Sequence, residues 1–343
     1  MRHLGTIILL AVAVVVALSG ILAAFCSPVI AAVILAWVTM TACLVAGWLL
    51  FRTVILRKSD KSFVLSALYN ADVLGQTQED LQRKAQHDIW RARVAMEEVS
   101  IKSYDGLKLH ATIFHNRANC RRWVVICHGY AQIGNERLLF VAQTFHEMGY
   151  WVLMPDARGH GKSDGDYLGM GWLDRLDVAQ WIHEIGRRNN VSSIVLYGVS
   201  MGASTVLMAA GEPLPCTVKA IVADCGYTSA VKECAYQMKM LYGLPAFPII
   251  PITSLMTRLF AGYWLEEASA LRQIVKSQTP ILLIHGSADA FVPPSMLGEL
   301  FNAAVCPKQK LLVEGAGHGQ SAVVDRTRYW QTITDFLAIH HVD

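Results

Sequence analysis

The sequence predicts an α/β domain with a mostly parallel, doubly wound sheet, preceded by an N-terminal transmembrane helical hairpin. Three observations predict it: a long uncharged apolar run at one end, an alternation of short β-rich and helical segments over the rest, and a G-x-S-x-G pentapeptide set between a strand and a helix.

The apolar run comes first. The chain has 343 residues, 53% of them hydrophobic, and a mean hydropathy of +0.35, high for a water-soluble enzyme. No charged residue falls between Leu4 and Phe51. A helical span takes roughly 20 apolar residues, so the run is long enough for two crossings and far longer than a signal-peptide core. Ser27 and Pro28 divide it, and proline cannot continue a helical ladder. Leu4 to Phe25 and Val29 to Phe51 therefore read as paired spans within an anchor covering residues 1–57.

Cytoplasmic flanks carry the excess of lysine and arginine. Arg2 precedes the first span, and Arg52, Arg57, Lys58 and Lys61 follow the second, whereas the turn at Cys26 to Pro28 is uncharged. Both ends, and with them the globular domain, are expected on the cytoplasmic side of the cell membrane; a single effective crossing would put the domain outside. Cys120, Cys127, Cys216, Cys225, Cys234 and Cys306 show no compact paired spacing and read as free thiols in a reducing compartment.

Residues 58–96 are polar and mixed in charge, a juxtamembrane connector expected to be partly helical. From residue 97 to 343 the texture is that of one α/β domain. Val99–Ser103 and Leu107–His115 flank an Asp105-Gly106 hairpin signal. Strands follow at Trp123–Cys127, Trp151–Pro155, Ser193–Tyr197, Ala220–Asp224, Pro280–His285 and Lys310–Val313, each separated by a helical stretch, which implies βαβ crossovers. An apolar insertion at about 226–279, with Leu244, Phe247, Ile249, Ile250, Met256, Leu259, Phe260, Tyr263 and Trp264, reads as a cap that lines an acyl pocket; ordinary helix-to-core packing accounts for the same residues.

Gly198-Val199-Ser200-Met201-Gly202 follows the strand ending at Tyr197 and precedes a helical run. A sharp strand-to-helix turn needs small residues around a nucleophile, because side chains there would collide with the neighbouring elements. A serine hydroxyl needs a base. Of 12 histidines, His318 lies in Gly-Ala-Gly-His-Gly just beyond a strand end, where a loop can reach back over the sheet; His285, His340 and His341 read as structural or surface residues. Asp289, in the loop after Ile281–Ile284, supplies the orienting acid in the chain order Ser, Asp, His; Asp224, ending the preceding strand, is its rival. The backbone amides of Tyr130 and Met201 are the candidate oxyanion donors. The side chain of His128, beside Tyr130, reads as structural.

From about Glu97 onward the chain resembles the α/β-hydrolase superfamily, in the branch close to serine aminopeptidases and monoacylglycerol lipases. Pro155 to Gly165, with Asp156, Arg158, His160, Gly161, Ser163 and Gly165, looks like that branch's D-x-R-G-H-G-x-S-x-G loop. Gly169–Asp177 and Ala223–Ser229 resemble a bacterial subgroup of membrane-tethered hydrolases. The resemblance implies a Ser-His-Asp serine hydrolase that needs no metal or cofactor. A tether and an apolar cap favour a small amphiphilic or acyl ester as substrate, making this an esterase or lipase-like enzyme. A peptidase uses the same three residues and needs an anchor for the substrate amine, for which Glu233, Glu266 and Glu267 are available. A membrane scaffold with an inactive domain is the third reading, disfavoured by the complete set of candidate groups. The formal net charge of +3 gives no footing for nucleic acid, and no C-x-x-C zinc pattern occurs.

Overall fold

The computed structural model describes residues 27–61, 87–117, 119–130, 138–188, 191–340 and 342. The expected first span lies outside them, as does most of the connector. The second span is helix α1 (Pro28–Val54), opened by proline at its first turn, where a missing N–H costs nothing. It is long and apolar enough to cross a membrane. Its N-terminal half leaves Val29, Val33 and Trp37 exposed, whereas Phe51 and Ile55 just beyond are wholly buried.

Beyond α1, residues 87–93 are helical. The remaining elements are β1 (Met96–Lys102), β2 (Lys108–Phe114), β3 (Arg122–Cys127), α2 (Leu139–Glu147), β4 (Trp151–Pro155), α3 (Asp174–Gly186), β5 (Ser193–Val199), α4 (Met201–Ala209) and β6 (Val218–Asp224), then α5 (Ala230–Tyr242), α6 (Ile249–Ala261), α7 (Ala270–Ile274), β7 (Ile281–Gly286), α8 (Ser295–Ala303), β8 (Lys308–Val313), α9 (Ser321–Val324) and α10 (Arg326–Ile339). The strands form one eight-stranded sheet in the order β1-β2-β4-β3-β5-β6-β7-β8. The first two pair antiparallel, as the Asp-Gly turn predicts, and β2 joins β4 antiparallel; from β4 to β8 every pairing is parallel.

Successive strand residues face opposite sides, so the central strands feed two cores. On β5, Ile194 and Leu196 face the layer that holds α3, α4, α7 and the end of α1. Val195 and Tyr197 face the layer built from α2 and α10. The insertion after β6 folds as α5, α6 and α7. Ser229 caps α5 by accepting from the Lys232 amide, and Gly243 ends it in the left-handed conformation.

The end of α1 and the residues after it are built into this domain. Leu56 bridges to Tyr167. The Arg57 guanidinium donates to the carbonyl oxygens of Ser163 and Gly161 at 2.6 and 2.8 Å. Lys61 donates to the Thr53 carbonyl at 2.6 Å, answering a carbonyl that the helix end leaves open.

Candidate functional site

Strand β5 ends at Val199 and α4 begins at Met201, so Ser200 is the whole turn. Its backbone sits at φ 57° and ψ −121°, a region that non-glycine residues seldom occupy and that must be held by the surroundings. Two bonds hold it: the Ser200 amide donates to the Asp224 carbonyl at 2.9 Å, and the Ser204 amide donates to the Ser200 carbonyl at 3.0 Å. The flanking glycines answer to space. A Cβ on Gly198 would lie 2.2 Å from the Gly202 oxygen, and one on Gly202 would lie 2.1 Å from the Cys127 oxygen. The turn thus packs backbone against backbone, and the Ser200 side chain is left facing a cavity.

His318, on the loop after β8, brings Nε2 to 2.8 Å from Ser200 Oγ. Its Nδ1 lies 2.8 Å from Asp289 Oδ2. The tautomer that satisfies both contacts carries the proton on Nδ1 and accepts from the serine hydroxyl through Nε2. Asp289 Oδ1 accepts from the amides of Phe291 and Val292 at 2.9 and 2.8 Å, which fixes the carboxylate in its loop. Burial alone would raise this carboxyl; hydrogen bonds from His285 and His318 outweigh it and hold the group at about 2. The Phe291 ring packs 5.1 Å from the His318 ring.

Asp224 does not reach His318. It accepts from Tyr329 Oη at 3.0 Å and Ser321 Oγ at 3.3 Å inside the core, and it is tied to the elbow only through its backbone carbonyl. His285, read from the sequence as structural, has a closer relation to the site than its strand position suggests. Its Nε2 lies 3.3 Å from Asp289 Oδ2 and 3.0 Å from the Val292 carbonyl. Nothing in the sequence marks it, since any strand-end residue four positions before a loop aspartate could point either way.

Met201 is the first residue of α4, so its amide is among those that an α-helix leaves without an internal partner. Tyr130 follows β3, and both residues line one cavity with Ser200. The His128 ring is occupied in the loop, accepting from the Ala157 amide at 3.0 Å and meeting the Gly129 carbonyl at 2.8 Å. In the loop after β4, Arg158 forks onto Asp177 at 2.6 and 2.7 Å and onto Asp105 at 2.8 Å. These charge-assisted bonds brace the loop away from the cavity.

The cavity over Ser200 measures about 70 Å³ and is lined mostly by apolar groups. Three of its residues, Leu50, Thr53 and Val54, belong to α1; Met238, Leu241 and Tyr242 come from α5. Sequence reading missed the α1 residues, because an uncharged apolar run looks the same whether it faces lipid or a pocket. Of the three glutamates, Glu233 lines the cavity, while Glu266 accepts from Ser254 and Glu267 accepts from the Trp264 amide. Burial pushes the Glu233 carboxyl up to about 8, and its Oε2 has no hydrogen-bond partner among the described residues. Cys225, Asp289 and His318 place potential metal-ligating atoms within 4.8 Å of one another. Burial holds the Cys225 thiol well above its ordinary range, however, and a protonated thiol is a poor ligand.

The profile described as "Serine aminopeptidase, S33" matches residues 118–240. The uncharacterised protein YqkD of Bacillus subtilis is 29% identical over 73% of this chain and 83% of its own length. The uncharacterised membrane protein YNL320W of Saccharomyces cerevisiae is 24% identical over 71% of this chain and 80% of its own. Among solved structures, the Pyrococcus furiosus esterase Pf2001 superposes with a TM-score of 0.60 at 22% identity, covering 73% of this chain and 93% of that one. The Butyrivibrio proteoclasticus protein Est1E, solved with ferulic acid bound, gives 0.56 at 18% identity over 71% of this chain and 100% of that one. With this strand order and the serine on its strand-to-helix elbow, the chain has the α/β-hydrolase fold, and over residues 118–240 it is similar to the serine aminopeptidase family of that fold.

Proposed function

We propose that this protein is a membrane-anchored serine hydrolase that cleaves acyl esters, with its catalytic domain on the cytoplasmic side. The observation that carries the reading is the bonded series from Ser200 through His318 to Asp289, both links at 2.8 Å, at the floor of an apolar cavity. His318 Nε2 takes the proton as Ser200 Oγ attacks the carbonyl carbon, and Asp289 steadies the imidazolium. The amides of Tyr130 and Met201 donate to the oxyanion, and each such donor typically contributes about 2.7 to 4 kcal/mol. The imidazolium then gives its proton to the departing alkoxide, leaving an acyl group on Ser200. A water, deprotonated by His318, releases the acid.

A peptidase reading has one observation in its favour, the buried Glu233 carboxyl in the same cavity. A group held at about 8 is mostly protonated at neutral pH and makes a weak anchor for an ammonium. The apolar lining and the esterase relatives of the same fold support the ester. The test is labelling with a fluorophosphonate, followed by a panel of p-nitrophenyl esters beside aminoacyl amides. Wild type should label and Ser200→Ala should not, and esters should turn over faster; equal labelling of the two proteins would remove Ser200 from its role, and faster amide cleavage would favour the peptidase.

A further inference from the structure

We propose that the acyl chain of a membrane lipid reaches Ser200 sideways from the bilayer, through a channel walled on one side by α1 and on the other by α5 and the start of α6. The proposal rests on the serine-hydrolase reading and names the substrate class for it: long-chain lipid esters held in the membrane.

The cavity over Ser200 does not stop at the domain's own walls. A second cavity of about 200 Å³ lies farther out, lined by Ala46, Leu49, Leu244 and Ile249 among others. The two share Leu50, Thr53, Met238 and Tyr242, so these four side chains stand between them, and their rotation would join the two into one passage. Its direction is along α1, away from the sheet. From Val54 back to Ala46 the helix covers about 12 Å, a distance that a butyryl group on Ser200 does not cross and a palmitoyl group does.

The membrane level follows from helix length. At about 1.5 Å per residue the 27 residues of α1 run to about 40 Å, against a hydrocarbon core of about 30 Å. With Pro28 set at the far edge of the core, some ten ångströms of the C-terminal end stand beyond it and the near boundary falls at about Gly47 and Trp48. Helix α6 docks at that same level. A Cβ on Gly47 would lie 2.3 Å from Ile252 Cγ2, and Thr253 Oγ1 donates to the Gly47 carbonyl at 3.1 Å. Trp48 meets Phe260 edge-on at 5.7 Å between ring centres, an aromatic pair of the kind that sits at the membrane interface. Around this junction Phe247, Leu255 and Leu259 are exposed, Phe247 to 76% and Leu259 to 66%. Such a patch is costly in water and suits a helix lying in the interface with its apolar face down. The outer mouth of the passage thus opens where acyl chains are.

The experiment uses the full chain reconstituted in phosphatidylcholine vesicles. Hydrolysis of p-nitrophenyl palmitate held in the vesicles is compared with that of soluble p-nitrophenyl butyrate, in wild type and in Ala46→Trp, which fills the outer passage only. The ratio of palmitate to butyrate kcat/KM should fall at least tenfold in the variant. Fluorophosphonate labelling of Ser200 reports folding; should Ala46→Trp lose labelling, Leu244→Trp on the facing wall takes its place. A wild type that labels and cleaves butyrate but leaves palmitate intact, or a ratio that the tryptophan does not move, overturns the channel while sparing the hydrolase. A wild type that neither labels nor cleaves either ester overturns the hydrolase and the channel with it.

Discussion

The Tyr130 hydroxyl, on the loop beyond β3, donates to the carbonyl oxygen of Val54, the last residue of α1, at 2.9 Å. The candidate oxyanion loop and α1 are therefore one packed unit. Phe51 and Ile55 extend that contact into the core, and burying two such side chains contributes about 3 to 6 kcal/mol, a large share of a domain's usual 5 to 15. A fragment starting at Ser59, which looks like the natural soluble piece, should lose that burial and open the cavity over Ser200. We expect it to aggregate or melt well below the full chain, and to turn over p-nitrophenyl butyrate poorly. A fragment as stable and active as the full chain would show α1 to be an anchor alone.

Asp289 and Asp224 differ in what they touch, so the same substitution should act differently. Asp289→Asn leaves the loop shape but favours the wrong His318 tautomer, and a loss of roughly 10⁴ in kcat is expected. Asp224→Asn disturbs Tyr329 and Ser321 in the core, so it should lower the melting temperature and spare kcat to within about tenfold. Equal losses of kcat in the two variants would reopen the choice of acid.

The sheet and the hydrogen-bonded series were legible because each rests on a local pattern. The β5 run Ser193 to Val199 alternates between two cores, so its period is visible without any partner. Asp289 and His318 were legible because each follows a strand end, where a parallel sheet delivers its loops to one edge. The choice of Asp289 over its rival Asp224 was read from the loop after Ile281–Ile284; that Tyr329 has taken Asp224 is a matter of packing and was not legible. Nor was the part α1 has in the cavity. Leu50 and Thr53 face Met238 and Tyr242 across nearly two hundred residues of chain, and no periodicity within either segment carries that pairing.

Gly202 should tolerate no side chain. Its missing Cβ would stand 2.1 Å from the Cys127 oxygen, a backbone atom held in β3 by its pairing with Gly198. Gly202→Ala must therefore push the elbow from the strand, at a cost of about 1 to 3 kcal/mol or more, and it should displace Ser200 from His318. Thermal melting and fluorophosphonate labelling should fall together. A variant that melts and labels like wild type would mean the elbow is looser than its contacts imply.

Sidedness rests on charge. Arg52 lies in the last turn of α1 and Arg57, Lys58 and Lys61 follow it, and each positive residue near a span favours retention in the cytoplasm. A reporter fused at the C-terminus should fluoresce as a cytoplasmic protein and be silent as alkaline phosphatase. The reverse pattern would put the domain and its ester substrates outside the cell.

Glu233 provides a test that separates stability from chemistry. Burial raises its carboxyl from 4.5 to about 8, so between those values the folded chain keeps a proton that the unfolded chain has released. Stability must then fall as pH rises through this window, by at most about 1.4 kcal/mol per pH unit. Glu233→Gln keeps the size and can still accept from Gln237, whose amide reaches Glu233 Oε1 at 2.9 Å, but it does not titrate. The variant and wild type should melt alike near pH 4.5, and the variant should melt higher by pH 8; parallel curves would mean that the carboxyl is not held protonated. The same substitution also separates the two enzymatic readings. An ester-cleaving site should keep its turnover when the carboxyl becomes an amide, because no step of the proposed mechanism uses that group. A peptidase that anchors a substrate ammonium on Glu233 should lose it, with a raised KM for aminoacyl amides and little change in kcat.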